Sequence, residues 1–242
     1  MIRGLYGAAS GLQSATEIQD VTAHNLAHSS TPGHRNRGLV SETFDRVLGR
    51  AQDPTGDLTG TALTGVYHDF RPGPLRQTDA PFDLALGEPG QFFTVRGPNG
   101  PLYTRNGTFR LTPDGELVTA SGGYPLLGED GPITIPPGSV RIVVASDGSV
   151  TADGEPAGNI RPTRFNDVRQ LTAAGPTLYT APPAAGPVQT EGRILQGWRE
   201  GSNTEPAESM VKMIETARYF EAAQRALRAI GESIQLNTRP QT

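Results

Sequence analysis

Apolar residues recur every three or four positions along the first 26 residues of the chain. With one gap near Ala23, this period holds for about six helical turns. It comprises Ile2, Leu5, Ala9, Leu12, Ala15, Ile18, Val21 and Leu26. The period predicts one amphipathic helix. We expect it to end within His28–Gly33, because Pro32 and Gly33 do not continue a helix.

A second helical pattern lies at the other terminus. Ser202 and Glu205 have the spacing of a capping box and Pro206 suits a first turn, so a helix is expected to begin near Asn203 or Thr204. Its seam alternates steps of four and three residues, which is a heptad-like spacing. The seam comprises Met213, Ala217, Phe220, Gln224, Leu227, Gly231 and Ile234, and it is broadened by Met210, Ile214 and Ile230.

Between the two helical patterns, short β-type runs alternate with Asn-Gly and Asp-Gly turns. These dipeptides supply the positive φ angles that tight hairpins require. The runs are 92–95, 102–104, 108–111, 117–119, 133–135, 140–145 and 149–151, and the turns lie at 98–100, 113–115, 129–131, 146–148 and 152–154. Roughly 85–200 is therefore expected to form antiparallel β-structure. The stretch before it reads as a loop at Gly49–Gly65, followed by isolated extended pieces at Val66–Phe70 and Gly73–Arg76.

These patterns predict an α+β fold with a discontinuous helical domain, residues 1–33 plus 202–242. An extended or loop connector covers 34–80, and a central antiparallel β domain covers 81–201. Each terminal helix has an apolar stripe too narrow for a large core, so the helices are expected to pair in a coiled-coil-like inner domain and to contact other subunits. The predicted subunit-interface residues are Leu5, Ala9, Leu12, Ile18, Asn25, Leu26, Met210, Met213, Ile214, Ala217, Phe220, Leu227, Ile230 and Ile234.

Composition removes several classes of protein. The 242 residues include no cysteine, which excludes disulfides, thiolate catalysis and cysteine-ligated zinc. No apolar stretch reaches the ~18–20 residues of a membrane span, and the N-terminus lacks the apolar region of a cleaved signal peptide. The 21 Lys and Arg residues are scattered among 25 acids, so nucleic-acid binding is disfavoured.

Candidate chemistry is sparse. His24 and His28 lie four residues apart on the first helix, with His34 close behind, a spacing that can bind zinc but that also suits a polar helix face. The recurrent aspartates each precede a glycine, which favours turns over calcium ligands or paired glycosidase carboxylates. No nucleophile or phosphate-loop motif is present. We therefore expect no catalytic residues, no cofactor and no metal site.

Motifs at both ends and in the middle resemble the bacterial flagellar rod and hook proteins. The N-terminal part reads Gly4-Leu5-x-x-Ala8-Ala9-Ser10-Gly11-Leu12 and then Val21-Thr22-Ala23-His24-Asn25-Leu26-Ala27-His28-Ser29-Ser30-Thr31-Pro32-Gly33. The middle supplies Phe82-Asp83-Leu84-Ala85-Leu86, Tyr103-Thr104-Arg105-Asn106-Gly107 and Asp114-Gly115-x-Leu117-Val118-Thr119. The C-terminal part supplies Glu200-Gly201-Ser202-Asn203, Glu208-Ser209-Met210-x-x-Met213-Ile214 and Arg218-Tyr219-Phe220-Glu221. These blocks follow the family's order over nearly the whole chain. Departures include His24, His28 and His34.

The resemblance implies a structural subunit rather than an enzyme. It implies export by the flagellar type III apparatus without a cleaved signal peptide, then polymerisation with copies of itself and with other rod proteins. The resulting rod crosses the periplasm and transmits torque from motor to hook. Within the family, Phe220 and the compact Gly97–Tyr103 block favour a proximal rod subunit, whereas Gln196-Gly197 favours a distal one. The rival hypothesis is a secreted β-domain adhesin or glycan-binding module that oligomerises through its ends.

Overall fold

The structure, a computed structural model, describes residues 2–43 and 61–238. Helix α1 spans Ile2–Ala27 and helix α2 spans Pro206–Thr238, so both predicted helices are confirmed. Helix α2 begins after the expected Asn203 or Thr204, because Ser202 does not form the capping box. Its hydroxyl oxygen accepts a hydrogen bond from the amide of Thr204 at 3.1 Å, and Pro206 then opens the helix.

Short strands make up most of the regular structure between the helices. They are β1 (Arg37–Thr43), β2 (Thr61–His68), β3 (Leu75–Gln77), β4 (Leu84–Leu86), β5 (Gln91–Gly97), β6 (Gly100–Thr104), β7 (Phe109–Leu111), β8 (Leu117–Thr119), β9 (Ile142–Val144), β10 (Ser149–Ala152), β11 (Glu155–Asn159), β12 (Thr163–Arg164), β13 (Thr172–Ala173), β14 (Leu178–Thr180), β15 (Val188–Gln189), β16 (Ile194–Gln196) and β17 (Trp198–Glu200). Single-turn 3₁₀ helices lie at Val168–Gln170 and Pro183–Ala185. The fold is thus α+β, with a β-rich central region.

The chain divides into two compact units. Unit 1 comprises Met1–Ala27, Arg37–His68 and Glu205–Thr242, and unit 2 comprises His28–Asn36 and Asp69–Thr204. Unit 1 therefore takes three separate pieces of the chain, and unit 2 takes two. The division into terminal helices, connector and central β domain stays a prediction.

Unit 1 contains both helices and the antiparallel hairpin β1–β2. Helices α1 and α2 lie against each other, and α1 also contacts both strands of the hairpin. Gly38 of β1 pairs with Tyr67 of β2, and a Cβ at Gly38 would overlap the Tyr67 ring, so that ring lies directly over the neighbouring strand.

Unit 2 is built from small antiparallel sheets around two apolar clusters. A six-stranded sheet has the order β13-β14-β6-β5-β12-β15, and a three-stranded sheet has the order β11-β10-β9. The strand pairs β4–β16, β3–β17 and β7–β8 complete the unit. The first cluster surrounds Leu84, Phe93 and Leu126, and the second surrounds Phe92, Phe165 and Tyr179. These are the cores that position the rest of the unit.

Most predicted strands of the central region are confirmed. One predicted strand there and one predicted loop before it are wrong. Ile133–Ile135 is not a strand, because its residues bond to separate segments: the amide of Ile133 donates to Leu126 and that of Ile135 to Gly115. The loop expected at Gly49–Gly65 is wrong at its end, since Thr61–Gly65 belongs to β2 and pairs with β1. Its first part, 49–60, lies outside the described residues.

The predicted turns are confirmed by their backbone angles. All five glycines have positive φ: Gly100, Gly115, Gly131, Gly148 and Gly154. The hairpins therefore turn where the Asn-Gly and Asp-Gly dipeptides placed them. Each dipeptide acts through local backbone sterics, so the position of the turn can be predicted from the sequence alone.

Gly231→Ala should stabilise helix α2 by about 0.5–1 kcal/mol, because glycine costs that much relative to alanine inside a helix. A Cβ at Gly231 would meet no atom within 4 Å. Thermal unfolding of the full chain, followed by helical circular dichroism, measures the gain. Gly11→Ala in α1 is the matched comparison. Its new Cβ would lie 2.8 Å from the Tyr219 hydroxyl, so it should gain less. Equal gains at both positions would contradict this packing.

Candidate assembly surfaces and the segment junction

Helix α2 has two different faces in the structure. Its less exposed face repeats with steps of four and three residues and comprises Ser209, Met213, Thr216, Phe220, Ala223, Leu227 and Ile230. Away from that face, Met210, Val211 and Ile214 have 56%, 55% and 54% of their surface exposed. Large apolar side chains at adjacent helical positions are unusual on a surface that stays in water. We call these three residues the α2 apolar stripe.

The residues predicted at the subunit interface differ in how far they are exposed. Met210, Ile214 and Ala9 are exposed, and Asn25 is buried. Half-buried residues are Leu12, Ile18, Leu26, Met213, Ala217, Phe220, Leu227 and Ile230. Leu5 and Ile234 lie within the helices, but their side chains are outside the described part. Their role in subunit contact stays a prediction.

The most buried face of α1 carries small and polar residues rather than its large apolar ones. Ala15 is fully buried, and Ser14, Thr22 and Asn25 are nearly so. Gly11 lies close under the hydroxyl of Tyr219 from α2. Small side chains let another element approach the helix backbone closely, which accounts for a glycine inside the helix.

Asn25 fixes the return of the chain after α1. Its side-chain oxygen accepts a hydrogen bond from the amide of Arg37 at 2.9 Å, and its side-chain nitrogen donates to the carbonyl of Arg37 at 2.8 Å. The pair of bonds satisfies both backbone groups of the first residue of β1. Asn25 therefore acts inside unit 1 as a clamp between α1 and the hairpin.

Three segments of unit 2 meet at a buried cluster of charges that we call the junction. It comprises Gly33–Asn36, Asp69–Gly73, Glu200–Asn203 and the side chain of Arg105. Arg35, Arg105 and Glu200 have side chains 1%, 3% and 1% exposed. Charged groups are almost never buried to this degree unless they are paired.

Glu200 is the centre of the junction. One carboxylate oxygen accepts hydrogen bonds from Arg35 at 2.6 Å and from the amide of Gly73 at 2.8 Å. The other oxygen lies 2.8 Å from Nε of Arg105. The backbone carbonyl of Glu200 accepts from the amide of Gly33 at 2.9 Å. A single residue therefore connects four parts of the unit.

Electrostatics at the junction follow from two cations sharing one anion. Burial lowers the pKa of Arg105, the Glu200 carboxylate opposes that shift, and the nearby charge of Arg35 adds to it. Nη1 of Arg105 also donates to the carbonyls of Glu88 at 2.9 Å and Gln91 at 2.7 Å. The dipoles of these two carbonyls stabilise the positive charge of Arg105, which shares Glu200 with Arg35. The arrangement is therefore structural and offers no reacting group.

Asn203 joins the same three segments through one amide side chain. Its oxygen accepts from the amide of Asn36 at 2.7 Å, and its nitrogen donates to the carbonyls of Asp69 at 2.8 Å and Arg71 at 3.0 Å. The Asp69 amide in turn donates to the Asn36 carbonyl at 2.8 Å. A hydrogen bond from Arg71 lowers the pKa of the Asp69 carboxyl.

The histidines considered for zinc have other surroundings. His34 is fully buried, its Nδ1 lies 3.0 Å from the Pro176 carbonyl, and its ring lies 5.2 Å from that of His28. Over residues 2–43 and 61–238, no group of three His, Cys, Asp or Glu side chains has the arrangement needed to hold a metal ion. No helix in the described part combines the length and hydrophobicity of a membrane span.

The junction is the feature that sequence reasoning missed. The sequence shows Arg105 and Glu200–Asn203 only as parts of motif blocks, and it does not indicate that they lie beside Arg35. Residues 35 and 200 are 165 positions apart, so no spacing rule connects them. The available signal was the presence of charged and amide residues within otherwise small-residue motifs, Thr31–Asn36 and Glu200–Asn203.

Comparison with known proteins identifies two matching family models. The one described as "Flagellar hook protein FlgE/F/G D1 domain" matches residues 89–152, and "Flagellar basal body rod FlgEFG protein C-terminal" matches 195–237. The flagellar basal-body rod protein FlgF of Salmonella typhimurium is 33% identical over 96% of both chains. FlgF of Caulobacter vibrioides is 33% identical over 92% of this chain and 91% of its own. FlgG of Buchnera aphidicola subsp. Schizaphis graminum is 32% identical over 97% and 98%, respectively.

Proposed function

Because this chain belongs to the flagellar basal-body rod protein family, we propose that it polymerises through its terminal helices into a rod that transmits torque from motor to hook. The family is structural, and the chain is not an enzyme. The observation that carries the proposal is the α2 apolar stripe, Met210, Val211 and Ile214.

The stripe supports assembly because it lies outside the less exposed face of the same helix. One face of α2 is accounted for within unit 1, and the stripe is left with more than half of its surface in water. Burial against a second copy would remove that apolar surface from water. When two different surfaces of identical subunits bind each other, every added subunit offers a free surface to the next one. If the rotation between neighbours does not close into a ring, the subunits form a helical rod.

A proximal rod position is our preferred subtype. Phe220 and the compact Gly97–Tyr103 block favour it, and the FlgF relatives at 33% identity are consistent with it. Gln196-Gly197 favours the distal alternative, as does the FlgG relative at 32%. Cryo-electron microscopy of purified basal bodies would distinguish the two by the axial level at which the density of this chain lies.

The same proposal includes partners and location. We expect contacts with copies of this chain and with other rod proteins, delivery by the flagellar type III export apparatus without a cleaved signal peptide, and a final position in the rod where it crosses the periplasm. A coiled-coil inner layer of terminal helices belongs to this proposal, and the four-and-three spacing on α2 supports it.

The double substitution Met210→Asp and Ile214→Asp should abolish assembly, because burying two carboxylates in an apolar contact is strongly unfavourable. Sedimentation velocity of the purified full chain measures polymer formation, and swimming of the source bacterium measures rod function. Circular dichroism should show that α2 remains helical, since both side chains are exposed in the single subunit.

The matched control is Met210→Leu with Ile214→Leu, which keeps the stripe apolar and should assemble like the original chain. Normal assembly and swimming of the aspartate variant would refute the role of the stripe. The rival adhesin hypothesis predicts instead that the β-rich region binds a carbohydrate, in the aspartate variant as in the original chain.

A further inference from the structure

We propose that the junction is a cooperative latch, in which the segments Gly33–Asn36, Asp69–Gly73 and Glu200–Asn203 become ordered together and are released together. Gly33–Asn36, which follows α1, and Glu200–Asn203, which precedes α2, would then become ordered in one cooperative step. This goes beyond assembly, because it concerns a conformational change within unit 2 of a single chain.

The first argument is charge. Glu200 pairs with Arg35 from the first segment and with Arg105 from the motif that follows β6. Without that carboxylate, two nearby arginines would be left buried with like charges, which favours expulsion of one of them. Arg105 is also held by the carbonyls of Glu88 and Gln91, so Arg35 and its segment are the part expected to leave.

The second argument is the amide of Asn203. Its three hydrogen bonds end on the first segment at Asn36 and on the second at Asp69 and Arg71. Displacing Glu200–Asn203 therefore removes partners from both other segments at once. The bonded groups of Asn36 and Asp69 are partly buried, and partly buried backbone groups are costly to leave without partners, so the other two segments are destabilised together.

The third argument is close backbone packing. Gly33 has φ +68°, and a Cβ there would overlap the backbone of Arg105 and Asn106. A Cβ at Gly73 would overlap the carbonyl of Gly201. The second and third segments thus meet backbone to backbone, and the first segment lies in the same way against the backbone of Arg105 and Asn106, with no side chain between them to absorb a shift. Tightly packed contacts of this kind switch between discrete arrangements instead of deforming gradually.

Amide hydrogen exchange of the full chain tests the latch, because it reports the opening of each segment separately. Glu200→Gln keeps the size of the side chain and removes its charge. We expect exchange at Asn36, Asp69 and Asn203 to rise together by at least about 30-fold, although none of these amides bonds to Glu200. Glu129→Gln is the matched control. Glu129 pairs with Arg161 elsewhere in unit 2, so the junction should be unaffected.

The reciprocal variant is Asn203→Asp, which keeps the oxygen that binds Asn36 and loses the donor to Asp69 and Arg71. Exchange should rise at Gly33 and Gly73, whose amides bond to Glu200 and not to Asn203. If Glu200→Gln also raises exchange in β5, unit 2 has unfolded as a whole in that variant. The exchange pattern of Asn203→Asp is then the test of the latch. The latch is overturned if each variant affects only the amides bonded to the altered residue.

Discussion

Phe92→Ala is expected to lower the free energy of unfolding of unit 2 by about 3–5 kcal/mol. Phe92 is 1% exposed, and its ring meets those of Phe70, Phe165 and Tyr179 edge to face, with centroids 5.5–6.2 Å apart. Removing it leaves a cavity and deletes three aromatic contacts, each worth about 0.5–1.5 kcal/mol beyond its buried area.

Urea unfolding followed by the fluorescence of Trp198, the single tryptophan, measures this loss within unit 2. Val188→Ala is the control. Val188 is 53% exposed at the edge strand β15, so its truncation should change stability by less than about 0.5 kcal/mol. Equal effects of the two substitutions would mean that the aromatic cluster is not a core.

Gly107→Ala is the second large effect, with an expected loss of about 3 kcal/mol from overpacking. A Cβ at Gly107 would overlap the carbonyl of Leu84 and lie 3.1 Å from the ring of Phe93. The carbonyl of Gly107 also accepts a hydrogen bond from the amide of Leu84 at 2.8 Å. Since Leu84 is fully buried in the first apolar cluster, the strand cannot move away without disturbing that core.

The matched control for Gly107→Ala is Gly175→Ala. A Cβ at Gly175 would lie 3.7 Å from side-chain atoms of Leu178, an ordinary van der Waals distance. The same Trp198 fluorescence titration should therefore separate the two alanine variants clearly. Equal shifts of the two urea midpoints would contradict the close contact between Gly107 and the Leu84 carbonyl of β4.

Local features account for the successes of sequence-based prediction. The apolar period of α1 and its Pro32-Gly33 stop lie within one stretch, as do the Asp-Gly turns of the central region. Such signals act over three to seven residues, through backbone sterics and side-chain spacing. Phe92, Phe93, Tyr103 and Phe109 lie on short strands of the central region, and all four are buried.

The pairing of strands across long separations escaped prediction, and the extended piece at Gly73–Arg76 was wrongly expected to be isolated. Strand β4 pairs with β16, and β3 pairs with β17, more than 100 positions along the chain. Each is three residues long, too short for an alternating pattern to stand out. Ile133–Ile135 shows the opposite error, because its apolar alternation reflects burial, and its isolated bridge between Thr134 and Glu116 does not extend into a strand.

Patterns along the chain are enough to locate the helices, the hairpin turns and the motif blocks that place the chain among flagellar rod proteins. Tertiary packing sets which helix face is buried: α1 turns Ser14, Ala15 and Thr22 inward and leaves Leu12 half-exposed. It also decided that Arg35 meets Glu200. Burial and ion pairing depend on what lies opposite a residue in space, and a pattern of neighbours along the chain carries no information about that partner.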